Sequence, residues 1–254
     1  AVLADDDHDG LSNLREQELG TDPTRGDTDG DRFGDGAELA VGTDPLDPAS
    51  FPVSISGAVA YPGHQAGAIC IEAVTGEGAD VRVYRATVAA PGPYAIAGIP
   101  NLQPYTLTAY RDSNANATRD PTEAFGAYAQ NPVTPAADVT GANLTLADPQ
   151  TVIEGTIAYA GPQTGPIVIA ATPPAGDTFT TQLPEPGEYT LTGPVSPAGL
   201  TLTAWRDTSG NGLLDSWEAQ ATLTIPAPGL SCHADLTLLD PDPDRSGLVL
   251  HYSF

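Results

Sequence analysis

From residue 53 onward, apolar and polar residues alternate in short runs broken by Pro and Gly. Val53-Ser54-Ile55-Ser56-Gly57-Ala58-Val59-Ala60-Tyr61 has the period of a strand with one buried face, and Pro62-Gly63 turns it. Ala68-Ile69-Cys70-Ile71-Glu72-Ala73 reads as the next strand. Tyr94-Ala95-Ile96, Tyr105-Thr106-Leu107-Thr108-Ala109-Tyr110 and a closing strand over 138–146 follow. The pattern then returns. Gly57, Tyr61, Gly63, Gly67, Ile69 and Ile71 recur as Gly155, Tyr159, Gly161, Gly165, Ile167 and Ile169. Further on, Tyr94 maps to Tyr189 and Tyr110 to Trp205. Short strands with frequent turns predict antiparallel pairing, and an internal repeat predicts one unit built twice. The chain therefore reads as mainly β, with two tandem antiparallel β-sandwich domains over 51–148 and 149–240.

The first fifty residues follow another rule. Two units repeat there at an interval of 22 residues: Asp5 maps to Asp27, Glu16 to Glu38, and Gly20-Thr21-Asp22-Pro23 to Gly42-Thr43-Asp44-Pro45. Each contains a short helical stretch, Leu14 to Leu19 and Ala37 to Val41, stopped by a Gly. Leu11, Leu14, Leu19, Phe33, Leu39 and Val41 are too few for a private core. The expectation is an irregular acidic segment over 1–50 in which bound cations replace hydrophobic burial.

The cation signal is a twelve-residue spacing that occurs four times. Side-chain oxygens at positions 1, 3, 5, 9 and 12 converge on one ion, the carbonyl of position 7 adds a ligand, and a final Glu closes the shell. The first loop supplies Asp5, Asp7, Asp9, Asn13 and Glu16, with the carbonyl of Leu11. The second supplies Asp27, Asp29, Asp31, Asp35 and Glu38, with Phe33. The third, inside the first sandwich, supplies Asp112, Asn114, Asn116, Asp120 and Glu123, with Thr118. The fourth, in the second sandwich, supplies Asp207, Ser209, Asn211, Asp215 and Glu218, with Leu213. One ion per loop makes about four Ca2+ ions. Position 6, where a left-handed turn favours Gly, holds Gly10, Arg32, Ala117 and Gly212. A Cβ there costs roughly 1 kcal/mol.

The Asp-x-Asp-x-Asp-Gly-Leu-Ser-Asn-x-x-Glu run, the Gly-Thr-Asp-Pro ends and Asp27-Thr28-Asp29-Gly30-Asp31 resemble thrombospondin type-3 repeats of the bacterial kind, over residues 4–48. That resemblance implies a calcium-bound, rod-like spacer. Dockerins also pair a calcium loop with a helix, but the Gly-Thr-Asp-Pro ends favour the thrombospondin type. Gly57, Tyr94, the strand Tyr105 to Tyr110 and the loop Arg111 to Glu123 resemble carboxypeptidase-regulatory-like domains of Ig or transthyretin type. The loop itself is similar to the calcium-binding B repeats of adhesins. The implication is a stiff, non-catalytic extracellular module.

Charge sharpens this picture. The chain carries 33 acidic residues against 9 basic ones, a net charge of −24, with no Lys among them. Such a field repels nucleic acid and anionic membranes and attracts cations. No apolar run reaches the ~18 residues of a membrane span. Weak calcium modules work at extracellular calcium levels, which places the protein outside the cell or on its surface. Cys70 and Cys232 fall in different sandwiches and read equally as a cross-link or as two thiols. No Gly-x-Ser-x-Gly, His-Glu-x-x-His or phosphate loop is present.

Residues 241–254 read as an acidic Pro linker followed by the strand Leu248 to Phe254. That strand has three readings: the start of more chain, an extra strand on this molecule's own sheet, or self-association through a neighbour's sheet. The functional expectation is a calcium-stabilised structural protein without catalysis: a surface stalk, adhesin spacer, matrix or filament subunit. The alternative is a polysaccharide- or protein-binding module of a secreted enzyme, with Tyr110 and Trp205 as candidate stacking rings for a glycan.

Overall fold

The computed structural model describes residues 4–241, and the anticipated strand Leu248 to Phe254 lies outside them. The chain divides into two compact units. One holds residues up to 62, 67–118 and 125–147; the other holds 63–66, 119–124 and 148 onward.

The first unit opens with two short helices, α1 (Asn13–Leu19) and α2 (Asp35–Val41). Ser12 caps α1 by accepting from Arg15 N, and each helix ends on a left-handed Gly, Gly20 and Gly42. Seven strands follow: β1 (Pro52–Ala60), β2 (Ala68–Thr75), β3 (Arg82–Val88), β4 (Gly92–Pro100), β5 (Thr106–Asp112), β6 (Phe125–Ala127) and β7 (Leu144–Thr145). They form two sheets, ordered β4-β1-β7 and β3-β2-β5-β6. Ile55, Ile69, Ile71, Ile99, Tyr105, Leu107, Leu144 and Leu146 are buried.

Between residues 4 and 50 the buried side chains are Glu16, Asp35 and Glu38, all 0% exposed, with Thr21, Thr43 and Pro45. The interior of this segment is carboxylate rather than hydrocarbon. It is tied to the sheet by Phe51 N–H donating to Asn101 Oδ1 at 3.1 Å and Asn101 Nδ2 donating to Ala49 O at 2.7 Å. Phe33 stacks on Phe51 with ring centroids 6.0 Å apart.

The second unit repeats the strand order. Its strands are β8 (Gln150–Ala158), β9 (Ile167–Thr172), β10 (Phe179–Leu183), β11 (Gly187–Pro194), β12 (Leu200–Arg206), β13 (Gln220–Ile225), β14 (Ser231–His233) and β15 (Leu236–Thr237). One sheet runs β11-β8-β14, with β15 also on β8; the other runs β10-β9-β12-β13. The core includes Ile153, Ile157, Ile167, Ile169, Leu191 and Leu202. The molecule is thus mainly β, as its alternation and turns imply.

Two expectations need adjusting. The closing strand over 138–146 is reduced to β7 and one bridge, Ile55 to Val139. Side chains replace the missing ladder: Asp138 Oδ1 accepts from Ser54 N at 2.8 Å and Asn143 Oδ1 from Ala58 N at 2.9 Å. Tyr110 and Trp205 are 1% and 7% exposed, and Trp205 packs with Val168 and Ala170, so neither ring offers a face to a sugar. Both cysteines are thiols, Cys70 buried and Cys232 half-buried.

Candidate metal centre

The repeat loops are built by Asx turns. Asp5 Oδ1 accepts from His8 N, Asp7 Oδ1 from Asp9 N and Asp9 Oδ1 from Leu11 N. The second loop copies this: Asp27 Oδ1 accepts from Gly30 N, Asp29 Oδ1 from Asp31 N and Asp31 Oδ1 from Phe33 N. Each such bond turns one oxygen toward the backbone; the twins on Asp7, Asp29 and Asp31 are left buried and unpartnered, while those on Asp9 and Asp27 accept from Gly36 N and Arg32 N. The chain curls because position 4 and position 6 are both left-handed. Position 4 is His8, Gly30, Ala115 and Gly210, at φ of 68°, 86°, 60° and 71°. Position 6 is Gly10, Arg32, Ala117 and Gly212, at 97°, 90°, 57° and 72°. Arg32 and Ala117 adopt the turn despite their Cβ. The requirement at position 4 was invisible in the ligand spacing.

The inward oxygens gather in three groups. Ligand atoms of Asp5, Asp7 and Asp9 lie within 4.8 Å of one another, as do those of Asp27, Asp29 and Asp31, and those of Asp9, Glu16 and Asp35. The third group joins the loops. Asp35, expected as a ligand of the second loop, sits with Asp9 and Glu16 of the first. Thr28 fixes it, donating from N at 2.8 Å and from Oγ1 at 2.7 Å. Gly36 N donates to Asp9 Oδ2 at 3.1 Å. Asn13 is engaged elsewhere, its Oδ1 accepting from Asp6 N at 3.0 Å.

The donor set fits a hard divalent cation. Both carboxylate oxygens of Glu16 and of Glu38 are buried without a hydrogen-bond partner, as are Asp7 Oδ2, Asp29 Oδ2 and Asp31 Oδ2. Burying carboxylate oxygens unpaired costs several kcal/mol unless a cation compensates them. The electrostatics agree. Burial raises the Glu16 carboxyl, and the Asp7 and Asp9 charges add to it. Burial, then the Asp31 and Asp29 charges, push Glu38 up to about 8.

The sandwich loops are arranged differently. In the third, Asp112 accepts from Asn116 N and Ala117 N, and Asn116 Oδ1 accepts from Thr118 N. Asn114 Oδ1 also accepts from Asn116 N. In the 119–124 segment, Glu123 Oε2 accepts from Asp120 N. In the fourth, Asp207, Asn211, Asp215 and Glu218 all carry hydrogen bonds. Ser209 Oγ donates to Asp207 Oδ1 at 3.3 Å.

Fold and site define a modular β-sandwich protein with an acidic N-terminal repeat whose carboxylates cluster. Residues 5–26 and 27–48 each match the bacterial TSP3 repeat, a calcium-binding repeat type. No curated protein matches the chain. Among solved structures it is similar to the Bacillus anthracis TIE protein, at 12% identity and a TM-score of 0.38, over 74% of this chain and 34% of that one. It is also similar to the fimbrial anchor protein Mfa2 from Porphyromonas gingivalis, at 9% identity and a TM-score of 0.29, over 74% and 91% of the two chains. The C-terminal fragment of pilus adhesin SpaC from Lactobacillus rhamnosus GG gives 10% identity and a TM-score of 0.28, over 74% and 98%. These likenesses are too distant to carry function. Among the described residues no helix is long and apolar enough to cross a membrane.

Proposed function

We propose that this chain is a calcium-stabilised extracellular structural module without catalysis, serving as a surface stalk, adhesin spacer, or matrix or filament subunit. The observation that carries the reading is the pair of fully buried, unpartnered carboxylates: Glu16, clustered with Asp9 and Asp35, and Glu38, under the charges of Asp31 and Asp29. Asp5, Asp7, Asp9 and Glu16 would hold one ion, and Asp27, Asp29, Asp31 and Glu38 another. Asp35 would serve the first loop together with Asp9 and Glu16. The carbonyls of Leu11 and Phe33 complete the sets expected from the spacing. Calcium supplies the positive charge that lets these carboxylates stay ionised and buried. Binding to the folded form alone contributes about 2.7 kcal/mol per site at a hundredfold excess over Kd. That is comparable with the stability of a small folded segment.

The test is limited proteolysis and thermal melting of the whole chain in millimolar calcium and in EDTA. Cleavage within 5–48 should accelerate strongly in EDTA. Equal protease resistance in both buffers removes the calcium reading and the stiffening role with it.

A further inference from the structure

We infer that the fourth acidic loop, residues 207–218, is closed by the protein's own hydrogen bonds rather than by an ion, and that Gln163 is the residue that positions it. Glu218 holds the place of the ion-closing carboxylate and is fully buried, like Glu16 and Glu38. Its oxygens, however, are taken. Oε1 accepts from Thr208 N at 2.8 Å and Ser209 N at 3.1 Å, and Oε2 accepts from Asp215 N at 3.1 Å. Three backbone donors satisfy this carboxylate without a cation. Asp207 accepts from Asn211 N at 3.1 Å and Gly212 N at 3.0 Å, much as Asp27 accepts from Gly30 N and Arg32 N, so the closing Glu and not position 1 separates the loops. Positions 3 and 5 are the neutral Ser209 and Asn211, where both repeat loops carry Asp. The fourth loop therefore buries less uncompensated charge.

Gln163 holds the closing residue from outside. Its Oε1 accepts from Ala219 N at 2.9 Å and its Nε2 donates to Trp217 O at 3.0 Å. One amide thus grips the peptide groups on both sides of Glu218. Segments 63–66 and 119–124 of the same unit use the same device. Gln65 Nε2 donates to Thr122 O at 2.9 Å, and Ala124 N donates to Gln65 Oε1 at 2.9 Å, bracketing Glu123. Among the described residues, no side-chain amide brackets Glu16 or Glu38 in this way. Where an ion is called for, the carboxylate is bare; where an amide grips the chain, the carboxylate is turned onto backbone N–H groups. This holds whether or not the N-terminal repeat takes calcium.

The experiment is hydrogen exchange of the whole chain, read peptide by peptide, in millimolar calcium and in EDTA. Peptides over 207–219 should exchange within about twofold of each other in the two buffers. Gln163→Ala should speed exchange there by about tenfold or more, equally in both, as expected for the loss of its three side-chain hydrogen bonds, to Ala219 N, Trp217 O and Thr208 Oγ1. A rise of tenfold or more in EDTA for the unaltered chain overturns the inference, and so does a Gln163→Ala defect that calcium repairs. If that variant does not fold, the unaltered chain in the two buffers decides alone. Peptides over 13–48 report separately on the N-terminal calcium reading, so failure of one is distinguishable from failure of the other.

Discussion

Asp9 and Asp35 meet across the two acidic repeats. Their carboxylate oxygens lie within 4.8 Å of each other and of Glu16, although one residue belongs to each loop. Gly36, which follows Asp35, donates its N–H to Asp9 at 3.1 Å. A Cβ on Gly36 would run into the Asp9 carbonyl, so the start of α2 presses directly on the first loop. The repeats therefore form one charged interior.

That coupling predicts the behaviour of Asp35→Asn. The substitution sits in the second loop but should weaken calcium binding at the first by about tenfold or more, the usual cost of a lost ligand or of its support. Calcium titration calorimetry checks it, with Glu16→Gln as the partner variant. If Asp35 and Glu16 serve one ion, the double variant should lose much less than the sum of the two singles. Strict additivity would assign Asp35 to the second loop alone.

Calcium removal should also change the sign of the pH response. Glu38 is pushed up to about 8 from an ordinary 4.5, so the metal-free fold favours its protonated form. Its contribution to stability is complete below 4.5 and is lost as pH rises through about 8. In EDTA, residues 27–48 should be best protected from protease near the acidic end and loosen toward alkaline pH. In calcium the order should reverse, because the ligand must be ionised. Glu38→Gln should flatten the EDTA profile. A profile in EDTA that is flat or rises with pH for the unaltered chain contradicts this account.

Much of the fold is legible in the alternation of residues, and the misses have physical causes. β3 is not legible in the sequence because no residue of Arg82–Val88 is buried, so its polar and apolar positions give no core signal. The alternation over 138–146 exceeds the observed strand because Asp138 and Asn143 bond the neighbouring backbone through their side chains. Within the site, spacing found the ligands that share a loop. It could not find the Asp9–Asp35 contact, which is between loops, or Gln163, which reaches Trp217 from 54 residues away. Nor could it separate loops whose closing Glu is bare from loops whose closing Glu is hydrogen-bonded.

Position 6 of the second loop offers a stabilising change. Arg32 has a φ of 90°, and its N–H donates to Asp27 Oδ2 at 3.1 Å. Gly keeps that N–H and removes the Cβ penalty, while Ala keeps the Cβ and removes the charge. Arg32→Gly should exceed Arg32→Ala in stability by about 1 kcal/mol, less some entropy gained by the unfolded chain. Denaturant unfolding of the two variants in saturating calcium measures the difference. Equal midpoints would mean that the left-handed turn costs Arg32 nothing.

The sandwiches should respond to their own bonds and ignore calcium. In each, a Tyr hydroxyl crosses to a carbonyl beside β1 or β8: Tyr94 Oη donates to Ala142 O at 2.5 Å and Tyr189 Oη to Ala234 O at 2.6 Å. Both tyrosines pair across the sheet with a glycine, Gly57 and Gly155, where a Cβ would collide with the same carbonyl. The glycine makes room for the carbonyl, and the tyrosine satisfies it. Tyr94→Phe and Tyr189→Phe should each cost about 1–2 kcal/mol, the price of a buried acceptor losing its donor. Gly155→Ala should cost more, since backbone must shift. Because no carboxylate takes part, the loss should be the same in calcium and in EDTA for both tyrosine variants, read as shifts in the thermal midpoint. A loss that appears only after chelation would mean that the sandwiches, too, depend on bound ions.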